Sequence, residues 1–147
     1  MSLKETLLDD LKSAMKEKNV PKKNAIQMAR ASVLQFEKDN KTTLDDEGII
    51  EIIAKEVKKR KDVLPDYEKC GREDLLNEIN TEIETLMVYL PAQLSDDEID
   101  ELVKKVIADA SASSMKDMGK VMAALMPLTK GKADGKRVNL SVKKFLS

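Results

Sequence analysis

The segment between Gly71 and Pro91 carries the most regular apolar pattern in the chain. An α-helix has 3.6 residues per turn, so apolar residues that alternate spacings of three and four share one face, which suits packing in a helical bundle. The pattern is too short for a long coiled coil. It predicts a helix from about Arg72 to Tyr89 whose buried face is formed by Leu75, Leu76, Ile79, Ile83, Leu86, Met87 and Leu90.

Similar apolar stripes predict six further helices and no strand. Ser2 with Glu5, and Ser95 with Glu98, have the spacing of a capping box, which satisfies amides at a helix N-terminus. No alternating β-branched run is present, and charged residues make up 36 % of the chain. The sequence therefore predicts an all-α protein. The six further helices are expected after Ser2, from about Pro21 to Lys38, from Thr43 past Pro65 to Gly71, from Ser95 to Ala110, from Ser114 to Pro127, and after Asp134.

The segment Pro91-Ala92-Gln93-Leu94 marks a predicted boundary between two lobes. Residues 1–90 are expected to form an N-terminal lobe of four helices, and residues 91–147 a C-terminal lobe of three. Because the chain has no Trp, two Phe and two Tyr, both cores must be largely aliphatic. Phe36 is expected on the buried face of the second helix.

The sixth predicted helix is rich in methionine, with Met115, Met118, Met122 and Met126 on one side. This spacing is typical of core positions, although methionine also suits adaptable binding surfaces. Gly119 lies inside the same helix, where glycine costs about 1 kcal/mol relative to alanine. We expect another backbone or a ligand to approach closely at that position.

The composition restricts the chemistry that the chain can perform. It has no histidine, which removes the commonest general base and the commonest zinc ligand. Cys70 is the only cysteine, so no intramolecular disulfide can form, which favours a reducing compartment. With no long apolar run near Met1 or elsewhere, we expect a cytoplasmic protein with no membrane contact. No catalytic residue, metal site or cofactor is predicted.

Positive charge is concentrated near the C-terminus. From Met115 to Ser147 there are eight Lys or Arg and two Asp, a net charge of +6 in a chain whose total is -1. Such asymmetry indicates either a polyanionic partner or a solvated basic face. The run Lys58–Lys61 points around a whole helix turn, so it cannot form one flat patch.

The loop between the last two predicted helices has two interpretations. Its glycines and lysines could hold a phosphate at a helix N-terminus, or the glycines could simply make a tight turn. Its spacing does not match a nucleotide P-loop. The candidate nucleic-acid-binding residues are Lys116, Lys120, Lys130, Gly131, Lys132, Gly135, Lys136 and Arg137.

Several motifs give the whole chain a resemblance to the YqeY family. They are Arg60-Lys61-Asp62, Gly71-Arg-Glu-Asp-Leu75, Tyr89-Leu-Pro-Ala-Gln-Leu-Ser95, Ser113-Ser-Met-Lys-Asp-Met-Gly-Lys-Val-Met122, and Lys130-Gly-Lys-Ala-Asp-Gly135 followed by Val138-Asn139. That family is similar to the C-terminal tail of the B subunit of glutamine-dependent aspartyl/glutamyl-tRNA amidotransferase, a helical appendage that helps to recognise tRNA.

The resemblance implies an all-α, two-lobe protein whose C-terminal lobe corresponds to the amidotransferase tail. The function it implies is that of a non-catalytic tRNA-binding accessory protein, with tRNA and the amidotransferase or translation machinery as partners. One alternative is a protein-interaction adaptor. Another is a component that contributes to carbon–nitrogen ligase activity, with glutamine as amido donor, together with other subunits.

Overall fold

A computed structural model describes residues 2–146 of the chain as seven α-helices and one short 3₁₀-helix. Within residues 2–146 there is no strand, which confirms the prediction of an all-α fold. None of the helices in this range is long and apolar enough to cross a lipid bilayer. The helices are α1 (Leu3–Lys16), α2 (Val20–Asn40), α3 (Asp46–Lys69), α4 (Glu73–Met87), α5 (Asp96–Asp109), α6 (Met118–Thr129) and α7 (Gly135–Leu146), and the 3₁₀-helix is Met115–Asp117.

Polar side chains begin the helices much as the sequence predicts. Both capping boxes form: Ser2 and Glu5 exchange side-chain and backbone hydrogen bonds at the start of α1, and Ser95 and Glu98 do the same at α5. The prediction for α3 is wrong by two residues, because the carboxylate of Asp45 accepts from the Gly48 amide at 2.9 Å. Asp45, rather than Thr43, is therefore the residue that caps this helix.

Backbone contacts divide the chain into two compact units, Met1–Leu90 and Pro91–Ser147. In the N-terminal unit, α4 packs on α2 and α3, and α1 packs on α2. The Tyr89 hydroxyl donates to Asp10, which ties the segment after α4 to α1. The core is aliphatic, as expected, and includes Leu7, Ala25, Ile26, Ala29, Val33, Ile49, Ile53, Val57, Ile83 and Leu86.

In the C-terminal unit, α5, α6 and α7 all contact one another around a second aliphatic core. α5 and α7 each contribute every third or fourth residue, so the core follows the helical spacing read from the sequence. Its buried members are Ile99, Val103, Val106, Val121, Leu125, Val138, Val142 and Leu146. That the two units fold as separate domains remains a prediction.

Four predictions about single residues are wrong. Phe36 is 40 % exposed, Met115 41 % and Met126 64 %, so none of the three belongs to a core. Pro127 does not end α6, which continues to Thr129. The close approach expected at Gly119 does not come from the described chain, because a Cβ atom placed there would meet nothing within 4 Å, and approach by a ligand stays a prediction.

Candidate nucleic-acid interface

Several backbone amides of the turn between α6 and α7 donate hydrogen bonds within the C-terminal unit. α6 ends where Gly131 adopts a left-handed conformation with φ of 74°. The amides of Lys132 and Ala133 then donate to the Thr129 carbonyl at 2.9 and 3.0 Å. The carboxylate of Asp134 accepts from the Lys136 amide at 3.0 Å. The amides of Lys132, Ala133 and Lys136 are therefore already engaged within the C-terminal unit.

The same turn is fixed to the segment before α5. The side-chain amide of Gln93 donates to the Gly131 carbonyl at 2.8 Å, and the Leu94 amide donates to the Lys132 carbonyl at 2.9 Å. These bonds favour the interpretation of a tight, structural helix–helix turn. Gly135 is exposed at the start of α7, and its position would admit a Cβ without contact.

Arg137 faces α5 rather than solvent alone. Its guanidinium donates to the Leu94 carbonyl at 3.0 Å and to the Asp96 carboxylate at 2.8 Å. The bond to the Leu94 carbonyl is partly buried, and the bond to the Asp96 carboxylate is exposed. Arg137, which the sequence suggested for nucleic-acid binding, therefore attaches the first turn of α7 to α5.

A second set of contacts repeats this attachment one helix turn further along. The Ser141 hydroxyl donates to Asp100 at 2.6 Å, and the Lys144 ammonium donates to the same carboxylate at 3.1 Å. The Ser141 hydrogen bond, and after it the Lys144 hydrogen bond, hold the pKa of Asp100 below its usual range. The acids at the start of α5 therefore neutralise part of the positive charge of α7.

The remaining cations of α7 lie on its outer face. Lys136, Leu140 and Lys143 are all exposed, Leu140 by 59 %, and their spacing of four and three puts them on one side of the helix. Lys132 is exposed just before this helix. Lys143 was not among the predicted binding residues, although its helical spacing from Lys136 was a usable signal.

The Phe145 ring gathers two further lysines that the sequence did not single out. The ammonium groups of Lys104 on α5 and Lys144 on α7 each lie 5.1 Å from the ring centroid. This is the distance range of a cation–π contact. Each of the two lysines also pairs with an acid of α5, Lys144 with Asp100 at 3.1 Å and Lys104 with Glu101 at 3.5 Å, so the ring lies between two ion pairs.

Lys116 and Lys120 belong to the other end of α6. Ten residues of α-helix separate Lys120 from Lys130, a rise of about 15 Å. The Lys120 ammonium donates to the Ala110 carbonyl at 3.0 Å, at the C-terminal end of α5. A cation there also interacts favourably with the negative end of the helix dipole. Lys116 is exposed in the 3₁₀-helix.

The four basic residues Lys58–Lys61 of α3 do not all point to the same side of the helix. Lys58, Lys59 and Lys61 are exposed, whereas Arg60 turns inward and donates to the buried carboxylate of Glu56 at 3.0 Å. This outcome agrees with the prediction that the four residues cannot form one flat patch. Within residues 2–146, no cluster of three or more Cys, Asp or Glu side chains is placed to hold a metal ion.

The motifs quoted above correspond to a family-wide match. The sequence profile of the YqeY-like protein family covers residues 4–146. The chain belongs to the YqeY family. This confirms the resemblance read from the motifs, and the similarity to the amidotransferase B-subunit tail is consistent with it.

Three fungal relatives of this YqeY-family chain share the name "Altered inheritance of mitochondria protein 41, mitochondrial". The protein from Pyrenophora tritici-repentis is 30 % identical over 84 % of this chain and 69 % of its own length. The protein from Vanderwaltozyma polyspora is 36 % identical over 70 % of this chain and 57 % of its own length. That from Kluyveromyces lactis is 32 % identical, over 73 % and 60 %.

These relatives correct one prediction and limit what else can be transferred. All three names specify mitochondria, so the prediction of a cytoplasmic protein is wrong. That prediction used the single cysteine and the absence of an apolar run, and neither feature distinguishes the cytoplasm from an organelle interior. The YqeY-family chain spans less than two thirds of two of these proteins, 57 % and 60 % of their lengths.

Proposed function

We propose that this YqeY-family protein is a tRNA-binding accessory protein that makes its main RNA contacts through the outer face of α7 and the turn before it. The observation that carries the proposal is that some C-terminal cations bond to α5 while others are exposed on another side of α7. Arg137 and Lys144 bond to α5 and the segment before it, while Lys136 and Lys143 are exposed on one side of α7 and Lys132 is exposed in the turn before it. Lysines held in this way on a rigid helix suit contacts with a phosphate backbone.

The chemistry of this surface favours recognition of a folded RNA by its shape. It presents ammonium groups and one exposed leucine, Leu140, but no exposed aromatic side chain on which a base could stack. Proteins that recognise helical RNA rely on phosphate and ribose contacts, because the deep major groove is closed to side chains. A compact RNA with paired stems, such as tRNA, fits this surface better than an unstructured single strand.

The proposed role is non-catalytic for the chain alone. With no histidine, the chain lacks the side chain that most often acts as a general base near neutral pH. The resemblance to an amidotransferase tail supports a role in presenting tRNA to other proteins. The names of the fungal relatives lead us to propose mitochondria as the place where this happens.

Titration of the full chain with a transcribed tRNA tests the proposal. If four to six phosphates are neutralised, log affinity should fall with log salt at a slope of about -3 to -5 between about 50 and 200 mM. The double variant Lys136→Glu, Lys143→Glu should bind more weakly and reduce the magnitude of the slope by about 1.5 to 2. A single-stranded polyuridine competitor should displace the tRNA poorly.

A matched variant separates local contact from net charge. Lys12 and Lys55 are exposed lysines of the N-terminal unit, so Lys12→Glu, Lys55→Glu changes the total charge by the same amount. We expect this control to bind tRNA nearly as well as the native chain. Equal losses in the two double variants would contradict a defined site on α7, and absence of binding at low salt would reject the function.

A further inference from the structure

The outer side of the α1–α2 pair carries apolar side chains that the N-terminal unit leaves at least partly exposed. On α1, Leu8, Leu11 and Met15 follow one another at spacings of three and four, so they share one side of that helix. Leu8 and Leu11 are half-buried, and Met15 is 56 % exposed. On α2, Leu34 is 55 % exposed.

An ion pair and a small cavity show that these side chains of α1 and α2 are neighbours. Lys4, four residues before Leu8 on the same side of α1, pairs at 2.7 Å with Glu37 near the end of α2, so the helices run antiparallel. Seven residues along α1 and seven back along α2, about 10 Å further, bring Leu11 opposite Arg30. A cavity of about 30 Å³ beside Lys4 is also lined by Arg30 and Leu34. The resulting surface, which we call the α1–α2 strip, consists of Leu8, Leu11, Met15, Arg30 and Leu34.

Arg30 lies at the centre of the α1–α2 strip without a partner of its own. The three other arginines of the chain, Arg60, Arg72 and Arg137, each pair with a carboxylate. Arg30 is half-buried, and among residues 2–146 it has no hydrogen-bond or ion-pair partner. No acidic residue occurs three or four positions before or after it on α2. Its guanidinium is therefore available to a carboxylate that approaches from outside.

The α1–α2 strip selects an occupant with an apolar stripe and one central acid. Along the strip, Leu8 and Leu34 lie to one side of Arg30 and Met15 lies to the other, so apolar contacts flank a single positive charge. A guanidinium can donate two parallel hydrogen bonds to a carboxylate, which fixes the position of the acid as well as its charge. An amphipathic helix supplies both features from one side.

Charge argues against three other occupants. A second copy packed on the same strip about a two-fold axis would bring the Arg30 side chains of the two copies together, and like charges would oppose this contact. An anionic lipid surface would also meet Glu5 and Asp9, which are exposed on the outward side of α1. RNA phosphates would gain from Arg30 but would lose water against Leu8 and Leu34.

We propose that the α1–α2 strip docks an amphipathic helix from a partner protein, and that the apolar stripe of this helix carries an acidic residue at its centre. The helix lies along the groove between α1 and α2 with its apolar side chains on Leu8, Met15 and Leu34, and its carboxylate accepts from Arg30. Met15 adapts to the side chains opposite, because methionine is flexible and polarizable. Docking here does not require tRNA binding by α7.

Three synthetic helical peptides of equal length test this docking with the full chain. They share one leucine stripe and differ only in the residue at its centre, which is Glu, Gln or Lys. We expect the Glu peptide to bind saturably and to shift the backbone NMR signals of residues 8–15 and 27–34. The Gln peptide should bind about tenfold more weakly, and the Lys peptide more weakly still.

Charge reversal at Arg30 tests the pairing itself. In Arg30→Glu the order of affinities should invert, so that the Lys peptide binds most tightly, whereas Arg30→Gln should bind the Glu and Gln peptides equally. Lys55→Glu changes the net charge by the same amount as Arg30→Glu, at an exposed position of α3. This control should keep the native preference for the Glu peptide.

A matched pair of methionine variants tests the apolar part of the contact. Met15→Gln removes an exposed apolar side chain from the strip. Met28→Gln does the same elsewhere on α2, where Met28 is 54 % exposed and lies about 120° around the helix from Leu34. Affinity for the Glu peptide should fall about five- to tenfold in Met15→Gln and remain unchanged in Met28→Gln. Circular dichroism should show that every variant is folded.

Four results would overturn the proposal. They are the same order of peptide affinities in Arg30→Glu as in the native chain, equal losses in the two methionine variants, no saturable binding of the Glu peptide up to about 1 mM, and NMR shifts confined to other residues. Tighter binding of tRNA, of vesicles that contain anionic lipid, or of a second copy at the same NMR signals would reject a partner helix and assign the strip to that occupant.

Discussion

Glu56 is a buried carboxylate that joins three helices of the N-terminal unit. Its oxygens accept from the Ser32 hydroxyl of α2 at 2.8 Å and from the Arg60 guanidinium at 3.0 Å. Arg60 also lies 3.7 Å from the Glu82 carboxylate of α4. Burial would raise the pKa of Glu56, but hydrogen bonds from Ser32, Arg60 and Lys59 outweigh it and hold the pKa below its usual range.

The variant Glu56→Gln should lower the free energy of unfolding by about 2–4 kcal/mol at neutral pH, because Arg60 would remain buried without its main partner. The depressed pKa of Glu56 means that this contribution is present above the unfolded pKa of about 4.3 and is lost as pH falls through the folded pKa. Urea denaturation at several pH values measures the difference, which should shrink in acid.

The exposed Glu84→Gln of α4 provides the control for that experiment. Its effect should stay within about 0.5 kcal/mol at every pH. If Glu56→Gln unfolds at the same urea concentration as the native chain, the buried network contributes nothing to stability. Arg60 Nε is buried without an acceptor in the described structure, so one donor of the network is unsatisfied. The network therefore stabilises the fold less than a fully hydrogen-bonded one would.

At the scale of the helix, the sequence predicted where the helices lie and which side of each is apolar better than it predicted which residues are buried. Apolar spacing located every helix, because one stripe of a bundle helix must be buried, and capping boxes located two N-termini to the residue. Phe36 and Met126 were assigned to cores because they extend such stripes. Near a helix end, a stripe can extend past the last neighbouring helix, so spacing shows which side is apolar and not how far it is covered.

The roles of the C-terminal cations were the least predictable feature of the candidate site. Arg137 and its partner Asp96 are 41 residues apart in sequence, so no local pattern indicates the ion pair. Lys136 and Lys143 face outward only because Arg137 and Lys144 face α5. The composition revealed a basic segment, and only the packing of α5 against α7 separated the cations that bond to α5 from those on the outer side of α7.

The variant Arg137→Gln tests this separation. It removes the hydrogen bond to the Leu94 carbonyl and the partly exposed ion pair with Asp96, so the free energy of unfolding should fall by about 1 kcal/mol. At low temperature, where α7 remains folded, tRNA affinity should change less than in Lys136→Glu. Thermal denaturation and tRNA titration of both variants give the comparison. A large loss of binding with unchanged stability would instead make Arg137 an RNA contact.

At the scale of the whole molecule, the described contacts suggest where the chain can be cut. The C-terminal unit begins at Pro91, four residues before the cap of α5. Those residues supply much of what holds the turn: Gln93 bonds to Gly131, and Leu94 bonds to Lys132 and Arg137 and packs against the core. They therefore behave as part of the C-terminal unit and not as a passive linker.

Two fragments test whether this unit is a domain. A fragment of residues 91–147 should be helical and melt cooperatively, although so small a chain buries only about 60 % of its unfolded surface and is marginal. A fragment of residues 95–147 keeps all three helices but loses the bonds from Gln93 and Leu94, so its free energy of unfolding should be lower by about 2–3 kcal/mol. Circular dichroism melts distinguish the two fragments.

Identical melting curves would show that residues 91–94 contribute nothing to the stability of the unit. The absence of a cooperative transition in residues 91–147 would contradict the domain prediction, because the second core would then depend on the N-terminal unit.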